Sequence, residues 1–149
     1  MRRYAFKLDP VLKLRKLKEE NCRNELGQLL TYMNKLDDQL RHDSEEINKY
    51  YQIQEGGLRQ GMKAGQLQAF PMLVAGKERN IELLKRDKMK QEKLIEAKKQ
   101  ELAVVRGELK VIENLKEKDY DAWRKATNKE IDQKVEEQTQ MWLQHREKA

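Results

Sequence analysis

Glycines recur at every fourth residue of the stretch QEGGLRQGMKAGQLQAFPML, at Gly57, Gly61 and Gly65. Glycine-rich loops can hold a phosphate group, but this stretch lacks the Gly-Lys-Ser/Thr ending of a phosphate-binding loop, and no predicted strand precedes it. The glycine spacing therefore does not predict nucleotide binding.

Residues that commonly bind metals or carry out catalysis are scarce. His42 and His145 stand far apart along the sequence, and Cys22 is the single cysteine, which cannot supply a zinc site of ordinary spacing. Carboxylates are plentiful, but a thin coiled coil offers no pocket that would desolvate one and raise its pKa. We therefore predict no catalytic residue, no metal, no cofactor and no enzymatic activity.

The composition favours long helices over a compact core. The chain has 149 residues, of which 39% are charged, 38% apolar and only 6% aromatic. Ala, Glu, Lys, Leu, Gln and Arg dominate, a mixture that is typical of coiled coils when it carries a helical period. We therefore predict an all-α fold.

The apolar residues alternate spacings of three and four, as positions a and d of a coiled coil do. Asp43 interrupts this seam in the first half of the chain, and Lys88, Gln91 and Lys98 weaken it in the second. The predicted coiled-coil core comprises Cys22, Leu26, Leu29, Met33, Leu36, Leu40, Ile47, Leu84, Ile95, Leu102, Val105, Leu109 and Ile112.

Neither seam can be buried by its own helix, so the two should pack as an antiparallel hairpin. We predict a single coiled-coil domain over residues 1–149, with helix one at about 10–55, a glycine-rich reversal at about 56–70 and helix two at about 71–146. Pairing outward from the reversal brings residue 10 near residues 115–120. The last thirty residues or so should then form a carboxy-terminal helical overhang.

Two local signals set the starts of these helices. Asp9 followed by Pro10 predicts a helix N-cap with proline at the first helical position. Phe70, before Pro71, should be extended, so helix two should begin at about Pro71. We also expect Gly61→Ala to change the stability little or to stabilise slightly.

Trp123 and Trp142 lie on the predicted overhang. Exposed tryptophans are typical anchors of protein interfaces, which favours a partner surface there. The alternative is that the tryptophans pack against Tyr4 and Phe6 of the amino-terminal segment. The sequence does not decide between the two.

Two segments resemble a known family. The opening FKLDPVLKLRKLKEE resembles the start of the flagellar type III export protein family called FliJ, and IENLKEKDYDAW followed by KEID resembles its carboxy-terminal signature. That signature falls on Glu113, Leu115, Lys116 and Glu117, then on Lys129, Glu130, Ile131 and Asp132. Length, motif order and the central break agree as well.

The resemblance implies a coiled coil similar to the central stalk of rotary ATPases, with partners in the bacterial flagellum. These partners would be the export ATPase hexamer, a membrane-bound export gate protein and export chaperones, engaged by a monomer. The implied ATPase-ring contact comprises Arg2, Arg3, Lys7, Arg15, Trp123, Arg124, Lys125, Lys129, Glu130 and Asp132. The implied export-gate contact comprises Gln39, Tyr50, Tyr51, Phe70, Val74 and Ile81.

No apolar run approaches the roughly 20 residues of a membrane span, so we expect a cytoplasmic protein. By resemblance it would lie peripherally at the cytoplasmic face of the inner membrane, beneath the flagellar basal body, and would serve motility. A stalk protein of the related injectisome, the virulence secretion system, is one alternative.

The formal net charge of +6 keeps open a basic structural or nucleic-acid-binding coiled-coil scaffold as a further alternative. We expect no nucleic-acid partner, because no aromatic residues line the basic face for base stacking.

Overall fold

The computed structural model describes residues 2–148, which contain two helices and no strand. Helix α1 spans Asp9–Gln60 and helix α2 spans Ala64–Glu147. Ion pairs between Glu25 and Lys98, and between Glu46 and Lys77, occur in opposite order along the two helices. The helices therefore pack as an antiparallel hairpin, which confirms the predicted fold class.

The chain divides into two compact units, one formed by residues 21–102 and the other by residues up to 20 with those from 103 onward. In the first unit the predicted seam is buried at Cys22, Leu36, Ile95 and Leu102. Its remaining predicted core residues are half-buried: Leu26, Leu29, Met33, Leu40, Ile47 and Leu84. A narrow seam of this kind is what two helices can bury, at about 1.5–3 kcal/mol for each fully covered leucine.

The second unit continues the same pattern. Val105 and Ile112 of α2 are buried, Leu109 is half-buried, and Leu12 of α1 is buried at 3% exposure. Leu12 continues the three-and-four spacing backward from Cys22, so the seam begins earlier on α1 than the predicted core residues indicate.

The reversal is much shorter than predicted and occupies residues 61–63, not 56–70. Gly61 has a φ of +81°, and the Met62 N–H donates to the Gly57 carbonyl at 2.8 Å. This geometry is a Schellman motif, in which a left-handed residue ends the helix and the next residue donates to one of its last carbonyls. The Met62 side chain covers Gly57, since a Cβ added there would lie 2.7 Å from Met62 Cε. The expectation for Gly61→Ala is therefore wrong, because alanine is strained at this φ.

Helix α2 begins at Ala64, so Pro71 lies inside the helix and does not start it. Its first α-helical hydrogen bond runs from the Leu67 N–H to the Lys63 carbonyl at 3.2 Å. Phe70 is accordingly helical, although the residue before a proline favours an extended conformation. Packing of the half-buried Leu67 and Phe70 offers a physical reason, because tertiary contacts can override a local preference of a few kcal/mol.

The start of α1 also differs from the prediction. The first α-helical bond runs from the Leu12 N–H to the Leu8 carbonyl at 2.9 Å, so Asp9 is already helical and is not the N-cap. Its carboxylate instead accepts from Lys116 Nζ at 3.4 Å and pairs with Lys13 Nζ at 3.5 Å. The Asp9 and Lys116 contact agrees with the predicted pairing of residue 10 near residues 115–120.

Candidate partner-binding surfaces

The polar seam residues of α2 each have a partner on α1. Lys98 Nζ donates to Glu25 Oε2 at 2.6 Å, and Lys88 Nζ lies 2.8 Å from Asp37 Oδ1. The Gln91 amide, only 6% exposed, donates to the Leu29 carbonyl at 3.1 Å. These contacts favour one alignment of the two helices, because a shift would leave the buried Gln91 amide unpaired and separate the two ion pairs.

Asp43 is the most buried polar residue of the seam, at 2% exposure. Its carboxylate accepts from Gln39 Nε2 at 3.0 Å and lies 3.5 Å from Lys77 Nζ. Lys77 also pairs with Glu46 Oε2 at 2.5 Å. The hydrogen bond to Glu46 raises the pKa of Lys77, and the hydrogen bond from Lys77 lowers the pKa of Glu46. One ammonium group therefore satisfies both carboxylates in this layer.

The sequence suggested that His42 has no metal-binding residues near it. In the fold, His42 lies beside two carboxylates. Its Nε2 lies 3.0 Å from Glu46 Oε1, and ligand atoms of His42, Asp43 and Glu46 lie within 4.8 Å of one another. The Lys77 ammonium already contacts both carboxylates. A cation is thus present as a side chain, and the cluster does not indicate a metal site.

The amino-terminal segment packs on α2 through Tyr4. The Tyr4 ring centroid lies 5.1 Å from that of Tyr120, in an edge-on arrangement, and 5.5 Å from that of Trp123. The Tyr4 hydroxyl donates to Asp119 Oδ2 at 3.1 Å, and partial burial, then this hydrogen bond, raise the pKa of Tyr4. Of the two alternatives for Trp123, the structure therefore shows packing against the amino-terminal segment, through Tyr4.

The other residues predicted to contact the ATPase ring lie mostly at the surface. Arg15 is half-buried and donates to the Glu108 carbonyl at 2.7 Å. Arg124 pairs with Asp121 at 3.7 Å, one turn away on the same helix. The remainder are exposed: Arg2, Arg3, Lys7, Lys125, Lys129, Glu130 and Asp132. All belong to the unit built from the chain's two ends, and their contact with a ring stays a prediction.

The last turns of α2 carry an uncovered apolar surface, which we call the terminal patch: Val135, Met141, Trp142 and Leu143. These side chains are 55%, 69%, 60% and 47% exposed, and every residue from 132 to 148 is exposed. The Arg146 guanidinium lies 5.3 Å from the Trp142 ring. Of these residues, the sequence had singled out only Trp142; it gave no signal for Met141 and Leu143.

The residues predicted to contact the gate fall into two groups. Tyr50 and Phe70 pack on each other with ring centroids 6.4 Å apart, Val74 is buried at 7% exposure, and Ile81 is half-buried. Gln39 and Tyr51 are exposed. A partner could reach Gln39 and Tyr51 directly, whereas contact through Val74 would require the seam to open.

Across residues 2–148, neither helix combines the length and apolar character that a membrane span requires. The fold and these surfaces define a coiled-coil protein of the helical-hairpin class. The family model described as "Flagellar FliJ protein" matches residues 4–148, so the chain belongs to the FliJ family. No curated protein and no solved structure gives a significant match. Family membership indicates a component of the flagellar type III export apparatus.

Proposed function

We propose that this protein is a non-enzymatic, stalk-like component of the flagellar type III export apparatus. In this role, the unit formed by residues up to 20 and those from 103 onward binds the ring of the export ATPase. The family match supports the flagellar assignment over the injectisome alternative. The observation that carries the ring contact is the terminal patch, whose apolar side chains have no cover in the described part of the chain.

The chemistry of this end suits a protein partner. Burying the terminal patch would remove apolar surface from water at about 25 cal/mol per Å², and tryptophan is among the strongest interface anchors. The exposed Arg2, Arg3 and Lys7 of the same unit add positive charge that could meet carboxylates at the rim of a ring pore. Apolar anchoring with a charged rim is the arrangement of a specific interface.

Stimulation of the purified export ATPase tests this function. We expect a triple variant, Val135→Ser, Trp142→Ala and Leu143→Ser, to lose stimulation because the apolar anchors are gone. The matched control, Leu17→Ser, Leu94→Ser and Val111→Ser, removes equally exposed apolar side chains elsewhere and should stimulate normally. Equal stimulation by the two triple variants would contradict the assignment of the terminal patch.

The same proposal places a second contact, to the membrane-bound export gate, near the reversal, and gives the protein a role in escorting export chaperones. The protein would act as a monomer, peripherally at the cytoplasmic face of the inner membrane. Exposed Tyr51 is the most informative gate residue, since changing it leaves the seam intact, whereas Gln39 also donates to the buried Asp43. Binding of the gate's cytoplasmic domain should weaken in Tyr51→Ala, and unchanged binding would argue against this contact.

A further inference from the structure

Residues 2–8 lie along α2 without being part of either helix, and we call this segment the strap. Leu8 and Leu115 line one cavity on α2, and Arg2 and Glu130 line the next. A non-helical chain rises up to about 3.3 Å per residue, against about 1.5 Å in a helix, so these few residues can accompany α2 over several turns. The strap therefore continues the antiparallel path of α1 beyond the start of that helix.

Tyr4 is the main attachment of the strap. Its hydroxyl donates to Asp119 Oδ2 at 3.1 Å, and its ring packs on Tyr120 and Trp123. Of the other strap residues only Phe6 is half-buried. In the described part of the chain, no backbone hydrogen bond joins the strap to α2. A segment held by so few side chains opens more readily than a helix packed along a buried seam.

The strap covers an apolar face of α2, and it covers that face loosely. A cavity of about 610 Å³ remains between the two, lined by Phe6 of the strap and by Leu115 and Trp123 of α2. Close packing would leave no such space. Tyr120 stacks on Trp123 with ring centroids 5.8 Å apart, and Leu115 and Tyr120 are already 45% and 42% exposed. Removal of the strap would therefore join these three side chains in one open apolar surface.

We propose that the strap is a releasable cover, latched by Tyr4, which closes the Trp123 surface in the free protein and leaves it when the ring of the export ATPase binds. The inference rests on the proposed function for its partner and adds a regulatory step to it. The ring binds the terminal patch directly but reaches Trp123 only after the latch opens. Such a cover lowers the apparent affinity in proportion to the fraction of chains that are open. Packing against Tyr4 and contact with a partner are then two states of Trp123.

Fluorine NMR of the chain labelled with 5-fluorotryptophan tests the cover in the free protein. The difference between the Trp123 shifts in H₂O and D₂O reports exposure of this ring to solvent, and it should increase in Tyr4→Ala and in Asp119→Ala. Trp142, 60% exposed, is the internal reference and should not change. Tyr32→Ala is the matched control, since it removes a 49% exposed tyrosine of α1 and should leave both signals in place. A Trp123 ring that is as exposed in the wild type as in Tyr4→Ala overturns the proposal.

Affinity for the assembled export ATPase tests the release. Tyr4→Ala and Asp119→Ala should both bind about threefold more tightly or better, because fewer chains are closed, while Tyr32→Ala binds like the wild type. Weaker or unchanged binding by both latch variants overturns the release, since Tyr4 would then belong to the interface or have no part in it. Circular dichroism should show all variants folded, because none of these side chains lies in the buried seam.

The two measurements separate this inference from the proposed function. If the wild type and every variant fail to bind the ATPase, the proposed function and the release by the ring are both contradicted. The solvent shift of Trp123 decides independently whether the strap is a cover latched by Tyr4.

Discussion

Residues inside and outside the seam should differ sharply in their tolerance of a charged side chain. Leu36 is 6% exposed and Leu30, on the same helix, is 42% exposed. We expect Leu36→Asp to lower the free energy of unfolding by about 3 kcal/mol or more, because an unpaired carboxylate would be buried. Leu30→Asp should cost less than about 1 kcal/mol. Urea denaturation followed by circular dichroism measures both, and equal losses would mean that Leu36 does not lie in the seam.

Glu46 should make stability depend on pH. Its pKa is lowered first by the hydrogen bond from Lys77, so the folded state favours the ionised carboxylate. The stabilisation is therefore present above the ordinary glutamate pKa of 4.5 and is lost as the pH falls through the lowered value. The difference in unfolding free energy between wild type and Glu46→Gln should be largest near neutral pH and should shrink in acid. A difference independent of pH would show that the Lys77 contact does not stabilise the fold.

Pairing between the helices explains why some residues could not be judged from the sequence. Lys88, Gln91 and Lys98 were expected to weaken the seam, yet each contacts a polar group of α1. The heptad pattern assigns a residue to the seam but does not say which residue lies opposite on the other helix. The partners of Gln91 and Lys98 are 62 and 73 residues away, so these contacts depend on how the two helices are aligned.

At the level of the helices, two glycines should respond oppositely to alanine. Gly61 has a φ of +81°, where alanine costs about 1–2 kcal/mol, so Gly61→Ala should lower the melting temperature. Gly76 is in an ordinary helical position with open space around it, so Gly76→Ala should stabilise by about 1 kcal/mol and raise the melting temperature. Calorimetry of the two variants checks the pair. Shifts in the same direction would contradict the Schellman motif or the helical placement of Gly76.

The sequence predicted the two helices and most of their seam, because spacings of three and four survive over many turns. It failed at the ends of the helices. The cluster of glycines around Gly61 predicts a long reversal, but one left-handed residue is enough to end α1. The Phe70–Pro71 pair predicts a helix start, but α2 begins at Ala64 and continues through Pro71.

At the scale of the whole molecule, the two tryptophans of the predicted overhang have different surroundings. Trp123 packs against Tyr4, whereas Trp142 is 60% exposed on the terminal patch. The sequence treated the two tryptophans alike because both lie on the overhang, and only the position of the amino-terminal segment separates them. Exposure of that kind depends on contacts between segments distant in the chain, which periodicity does not record.

Hydrogen exchange followed by mass spectrometry tests the proposed function most directly, since it reports cover along the whole chain at once. In the free protein, amides of residues 132–148 should exchange faster than those around Leu36, because residues 132–148 are all exposed and Leu36 is buried. Adding the assembled export ATPase should slow exchange over residues 132–148 by about tenfold or more, as expected for a helix that becomes covered. Unchanged exchange there, or protection confined to the region of the reversal, would contradict the proposed role of the terminal patch.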